Sequence, residues 1–331
     1  MVSTEIANLG ASAVGATSPA QLPAPTAAHG PSLHPAPGLA DALTPPDMAR
    51  KAVDVGISKA RLDARTVFLL SILAGAFIAL GAIFSLTVTA GASSTVPGAA
   101  TLPYGVARLL AGIAFSLGLV LVVVGGAELF TGNVLLTFAW ASRRVSTATV
   151  LRNWTIVYLG NFIGSIGTVA IVVAGGWYRL GSGSVGSGLL ATAAGKVAHT
   201  TLEAFSLGIL CNVLVCLAIW LTYSARTTTD RIMAIVPPVT CFVAAGFEHS
   251  IANMFFIPAA IAVKAVAPAS FWSAIGSSPD AWSSVDIGGF ITNLVPVTAG
   301  NIVGGALLVA AMYWLAYLRP RPLAQGGTDH A

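Results

Sequence analysis

The sequence predicts an all-α polytopic membrane protein: six transmembrane helices, arranged as an inverted three-helix repeat with two broken helices. Three observations predict it. Of 331 residues only 8% are charged and 56% are hydrophobic, with a mean hydropathy of +0.84. A soluble domain carries about 25% charged residues, so a water-facing surface cannot be covered here. Charges are also absent from whole stretches: Thr66–Ala107, Leu109–Ala127, Trp154–Tyr178, Ala204–Ala225 and Ile287–Leu318. The third observation is a motif that interrupts two apolar stretches in the same way.

Composition excludes a soluble enzyme, a disordered protein and a nucleic-acid binder. The net charge of +4 comes from 16 basic and 12 acidic residues, too few for a phosphate-tracking face. Cys211, Cys216 and Cys241 lie in apolar runs, so no disulfide framework is expected.

In chain order, residues 1–45 are rich in Ala, Pro, Gly and Ser, with only Glu5 and Asp41 charged. They read as a disordered tail with no signal peptide. Residues 46–65 form an amphipathic helix with Arg50, Lys51, Lys59, Arg61 and Arg65, expected at the cytoplasmic membrane surface. The membrane-spanning domain then occupies 66–320, and 321–331 is a short tail. A crossing needs about 20 apolar residues, which places spans near 66–90, 104–140, 152–176, 199–223, 232–264 and 287–318. Twelve Lys and Arg fall on one face and four (Arg108, Arg179, Lys196, Lys264) on the other. The positive-inside bias therefore puts both termini in the cytoplasm.

The interrupted spans match each other. Gly126-Ala127-Glu128 is followed by Asn133, and Gly246-Phe247-Glu248 by Asn253, 120 positions on. A second pair, Gly160-Asn161 with Gly164 and Gly300-Asn301 with Gly304, is offset by 140. Three is odd, so two three-span units have opposite membrane orientations, and a discontinuous helix in each half puts a pathway near the midplane. Glu128 reads as a cap for its break, and the four glycines as small-xxx-small helix packing. Gly181-Ser182-Gly183-Ser184-Val185-Gly186 spells a dinucleotide fingerprint but follows a membrane span, so it reads as a flexible loop. Asn153-Trp154-Thr155 spells a glycosylation site on the expected cytoplasmic face and is discounted.

These motifs resemble the formate/nitrite transporter family, and most closely its formate-channel branch. The matching stretches are GGAELFTGN (125–133), YLGNFIGS (158–165), KVAHTTLEAFSLGILCNVLVCLAIW (196–220), GFEHSIANMFFIP (246–258) and FITNLVPVTAGNIVGGALL (290–308). The resemblance covers about 47–320. It implies an aquaporin-like fold, a homopentamer in the inner membrane, and a pore in each protomer for small monovalent anions: formate, nitrite or hydrosulfide. The family's central histidine falls on His249, as proton donor, and its hydrogen-bond partners fall on Thr131 and Asn293. Anion attraction falls on Lys196 with its acidic neighbour Glu248. The apolar constrictions fall on Phe115, Leu119, Leu129, Phe130 and Phe242. Gly132-Asn133 departs from the Ser-Thr of some formate channels.

An ionisable residue at membrane depth usually faces a cavity or a partner, which singles out His249. A carboxylate repels anions, so Glu248 reads as a partner for Lys196 or for freed backbone N–H groups. No enzyme activity, cofactor or metal is expected, because His-Glu-x-x-His and Gly-x-Ser-x-Gly are both missing. The alternative is an aquaporin-like channel for ammonia or water, although paired Asn-Pro-Ala motifs are absent.

Overall fold

The computed structural model describes residues 41–92 and 102–320, so most of the expected tail at 1–45 and all of 321–331 lie outside the described residues. The helices are α1 (Pro45–Ala60), α2 (Ala64–Thr89), α3 (Tyr104–Gly125), α4 (Phe130–Asn133), α5 (Thr137–Ala141), α6 (Thr147–Ala174) and α7 (Ser184–Val197). Then follow α8 (Thr201–Ser224), α9 (Thr228–Ala245), α10 (Ser250–Val266), α11 (Ala269–Ala274), α12 (Ile287–Val303) and α13 (Met312–Tyr317). Six crossings result: α2, α3 continued by α4 and α5, α6, α8, α9 continued by α10, and α12 continued through a π-helical stretch into α13. The α9–α10 pair bends by 51° at its break.

Five of the six crossings start at a polar cap that supplies an acceptor for the first free amides, and α3 starts after Pro103 without one. Asp63 caps α2, Ser146 caps α6, and Thr200 with Glu203 forms a capping box on α8. Small residues then let the helices approach closely, the route to tight packing where lipid gives no hydrophobic drive. A Cβ at Gly164 would sit 1.9 Å from the Ile72 carbonyl oxygen, and one at Gly304 2.2 Å from that of Ile209. These are the third and first crossings of each unit meeting in the same way twice.

Two local outcomes differ from the sequence reading. The glycine-rich run near 181 is only a tight turn: α7 begins at Ser184 and packs Leu189, Leu190 and Ala193 into the core. And α1 is folded onto protein, with Met48, Ala49, Ala52 and Val53 buried against Leu135, Phe138, Ala139 and Trp220. Its apolar stripe is used up by that contact.

Candidate functional site

Both breaks are built from the same parts. α3 ends on Gly126 (φ +77°) and α9 on Gly246 (φ +78°), the left-handed conformation that glycine adopts without a Cβ penalty. The next amide reaches back to close the helix end: Ala127 N–H donates to the Val122 carbonyl, and Phe247 N–H to that of Phe242, both at 2.9 Å. The chain then runs extended through Leu129 and His249 before α4 and α10 begin.

The groups freed at each break are satisfied by one buried asparagine. Asn161 Oδ1 accepts the Phe130 amide at 2.9 Å, while its Nδ2 donates to the carbonyls of Ser71 (2.8 Å) and Glu128 (2.9 Å). Asn301 accepts the Ser250 amide at 2.9 Å and donates to Gly208 (2.7 Å) and Glu248 (3.0 Å). Non-helical backbone at membrane depth survives only when protein satisfies it. Sequence reading took this Gly-Asn pair as packing glycine and missed the asparagine's role.

A charged cluster sits beside each break, at opposite ends of the crossing direction. On one side Lys196 Nζ lies 2.8 Å from Glu248 Oε1, and Asn253 Nδ2 donates to Glu248 Oε2 at 2.7 Å and to Asn293 Oδ1 at 2.7 Å. Lys196 also stands 5.4 Å over the Phe256 ring, and His199 Nε2 is 3.8 Å from Glu248. On the α1 side Lys59 Nζ lies 2.7 Å from Glu128 Oε1 and 2.9 Å from Asn133 Oδ1. Asn133 Nδ2 donates to Glu128 Oε2 at 2.6 Å and to Asn153 Oδ1 at 2.9 Å. A buried carboxylate is tolerable only when so paired. Sequence reading gives Lys59 only as an interfacial cation and Asn153 only as a discounted sequon, although Lys59 precedes the cap Asp63 by the spacing that separates Lys196 from Thr200. Asn153, the sequon's asparagine, is 3% exposed and engaged inside the protein.

His249 is buried between the clusters. Its Nδ1 accepts the Ala252 amide at 3.0 Å as the N-cap of α10, and its Nε2 lies 3.0 Å from Thr131 Oγ1. With Nδ1 accepting, the neutral ring carries its hydrogen on Nε2, toward Thr131. Asn293 departs from expectation: its amide donates to the Lys196 carbonyl (2.8 Å) and to Glu248 Oε2 (3.3 Å). Both imidazole nitrogens are already engaged, so Asn293 serves the carboxylate cluster instead of the ring.

The expected constriction residues separate into groups. Phe242 stacks on His249 with centroids 5.9 Å apart and meets Phe115 edge-on at 5.8 Å. Phe130 packs instead on Tyr158 at 4.9 Å and Trp154 at 6.1 Å. Leu129 lines a cavity on the α1 side, and Leu119 is buried in the main core. Arg108, also missed from sequence, places its guanidinium on the carbonyls of Val243 and Ala244, satisfying the end of α9. Among the described residues no group of three His, Cys, Asp or Glu is placed to hold a metal ion.

The family model described as Formate/nitrite transporter matches residues 46–315. The formate channel FocA of Escherichia coli (strain K12) is 46% identical over 280 residues, covering 84% of this chain and 96% of that protein. The FocA of Haemophilus influenzae is 42% identical over 270 residues, 81% and 92% of the two chains. A solved structure described as a pentameric formate channel with formate bound is similar with a TM-score of 0.72 and 47% identity, over 77% of this chain and 98% of that one.

Proposed function

Because the chain belongs to the formate/nitrite transporter family, we propose that it is a homopentameric channel of the inner (plasma) membrane. Each protomer passes small monovalent weak-acid anions, formate first, with nitrite and hydrosulfide as further substrates. The observation that supports this best is the contact between His249 and Thr131, which joins the two restart points of the broken helices. There the N-terminal ends of α4 and α10 converge, and helix N-termini favour negative charge. Both termini lie in the cytoplasm by the Lys and Arg bias.

In this reading Lys196 and Lys59 draw the anion toward either end, while Glu248 and Glu128 hold them in place. Apolar walls at Phe115, Leu119, Leu129, Phe130 and Phe242 strip its water, and an unpaired charge there is costly. His249 lowers that cost by donating a proton to the weak-acid anion, with Thr131 orienting the ring. Ser250 Oγ and Asn253 Oδ1, buried without a partner among the described residues, offer further polar contacts beside it.

Labelled formate, water and ammonia fluxes in liposomes test the function. Formate flux with little water or ammonia flux is the expected result; the reverse makes the protein a neutral-solute channel. Mass measurement in detergent is expected to give five copies, and a monomer or dimer alone refutes the assembly. Lys196→Ala is expected to reduce formate flux most at low ionic strength, where the Debye length reaches about 30 Å at 0.01 M. Equal flux at low salt shows that Lys196 only braces Glu248.

A further inference from the structure

A cavity of about 310 Å³ opens on the α1 side of the first break, lined by Lys51, Lys59, Arg231, Glu128, Asn133 and Leu129 among others. Liquid water occupies about 30 Å³ per molecule, so the space holds roughly ten waters, far more than a monovalent anion the size of formate needs. Its charges do not balance. Glu128 spends one carboxylate oxygen on Lys59 and the other on Asn133, which leaves Lys51 and Arg231 in excess. Lys51 gives one hydrogen to the Tyr223 carbonyl at 2.8 Å and keeps two donors. Among the described residues no carboxylate is paired with the Arg231 guanidinium. Burial, and after it the charges of Arg226 and Arg231, push the Lys51 ammonium below its ordinary value.

We infer that this cavity is a binding site for a free divalent oxoanion of the sulfate or hydrogenphosphate type, held between Lys51 and Arg231 at the mouth of the path. Two uncompensated cations match two negative charges. A guanidinium presents a planar fork for two oxygens, and an ammonium adds a point charge with rotatable donors. A lipid phosphodiester carries a single charge and leaves one cation unmatched, which favours the free ion. Such an ion is too highly charged to pass the apolar walls beyond Leu129 and blocks entry from the α1 side. Blocking rests on the proposed channel function; binding does not.

The probe is sulfate, added to the full chain. Calorimetric titration of the detergent-solubilised protein is expected to show sulfate binding, and the pair Lys51→Gln with Arg231→Gln to bind about tenfold more weakly or worse. Glutamine at position 51 keeps a donor for the Tyr223 carbonyl, so α1 stays seated. The charge-keeping pair Lys51→Arg with Arg231→Lys is expected to retain binding. In liposomes, sulfate on the α1 side is expected to slow formate flux in the wild type and not in the glutamine pair. Failure of the wild type to bind sulfate, or equal binding by the glutamine pair, overturns the site. Binding that is lost in the glutamine pair, in a protein that passes no formate, upholds the site and refutes only the channel function.

Discussion

Asn301→Leu is expected to lower the stability of the solubilised protein by several kcal/mol. The asparagine answers two backbone groups of the second break, the Ser250 amide and the Glu248 carbonyl, and ties them to the Gly208 carbonyl of α8. Leucine shares the branching at Cγ, is bulkier, and answers none of them. A buried polar group left unpaired costs about 1–3 kcal/mol, and total stabilities run to about 5–15 kcal/mol. Loss of the folded species in thermal unfolding, or a large fall in midpoint, is the expected reading. Asn161→Leu removes the matching three bonds at the first break and is expected to do the same. Thr292→Ala, on an exposed face of α12, serves as the control with little change. A midpoint for Asn301→Leu within a degree or two of wild type refutes the capping role.

His249→Asn is expected to keep the fold and to cut formate flux about tenfold or more. A hydrogen bond to a charged group is worth about 1.5–3 kcal/mol, and each 1.4 kcal/mol is about a decade. Asparagine caps helices well, so it can take over the Ala252 amide that Nδ1 now accepts. It cannot supply a titratable proton. The pH dependence of formate flux is therefore expected to flatten, while anions of strong acids, which accept no proton, change differently. Because Nδ1 holds the Ala252 amide, the doubly protonated ring forms only when that cap bond opens. Wild-type flux with an unaltered pH profile in His249→Asn assigns the residue to structure alone.

Much of this was legible in one dimension. The breaks are spelled in the chain as Gly-x-Glu with Asn five residues after the glutamate, because a left-handed cap and a buried carboxylate demand particular residues at fixed spacing. The crossings follow from charge-free length. What escaped reading depends on which residues meet across the fold. Lys59 lies on α1, outside every apolar stretch, and its partner Glu128 is 69 positions away. Asn293 was placed on the histidine, yet the rotation of α12 about its axis decides whether its amide meets the ring or Glu248, and periodicity does not resolve that angle. The seat of α1 escaped for a similar reason: an amphipathic stripe reads the same against lipid as against Phe138 and Trp220.

The paired Lys–Glu–Asn–Asn clusters carry a consequence for vectoriality. An ion entering from either end meets the same local arrangement and leaves past its mirror, so the clusters contain no ratchet. Net movement in a symmetric barrier landscape is dictated by the gradient alone, and the current–voltage relation tends toward equal conductance both ways. The repeat reaches the flanking helices too: α7 precedes α8 as α1 precedes α2, and these two helices carry the paired Lys196 and Lys59. Rectification, where it is measured, therefore traces to what the two ends do not share: His199 beside Glu248 at one, and Lys51 and Arg231 in the α1-side cavity at the other.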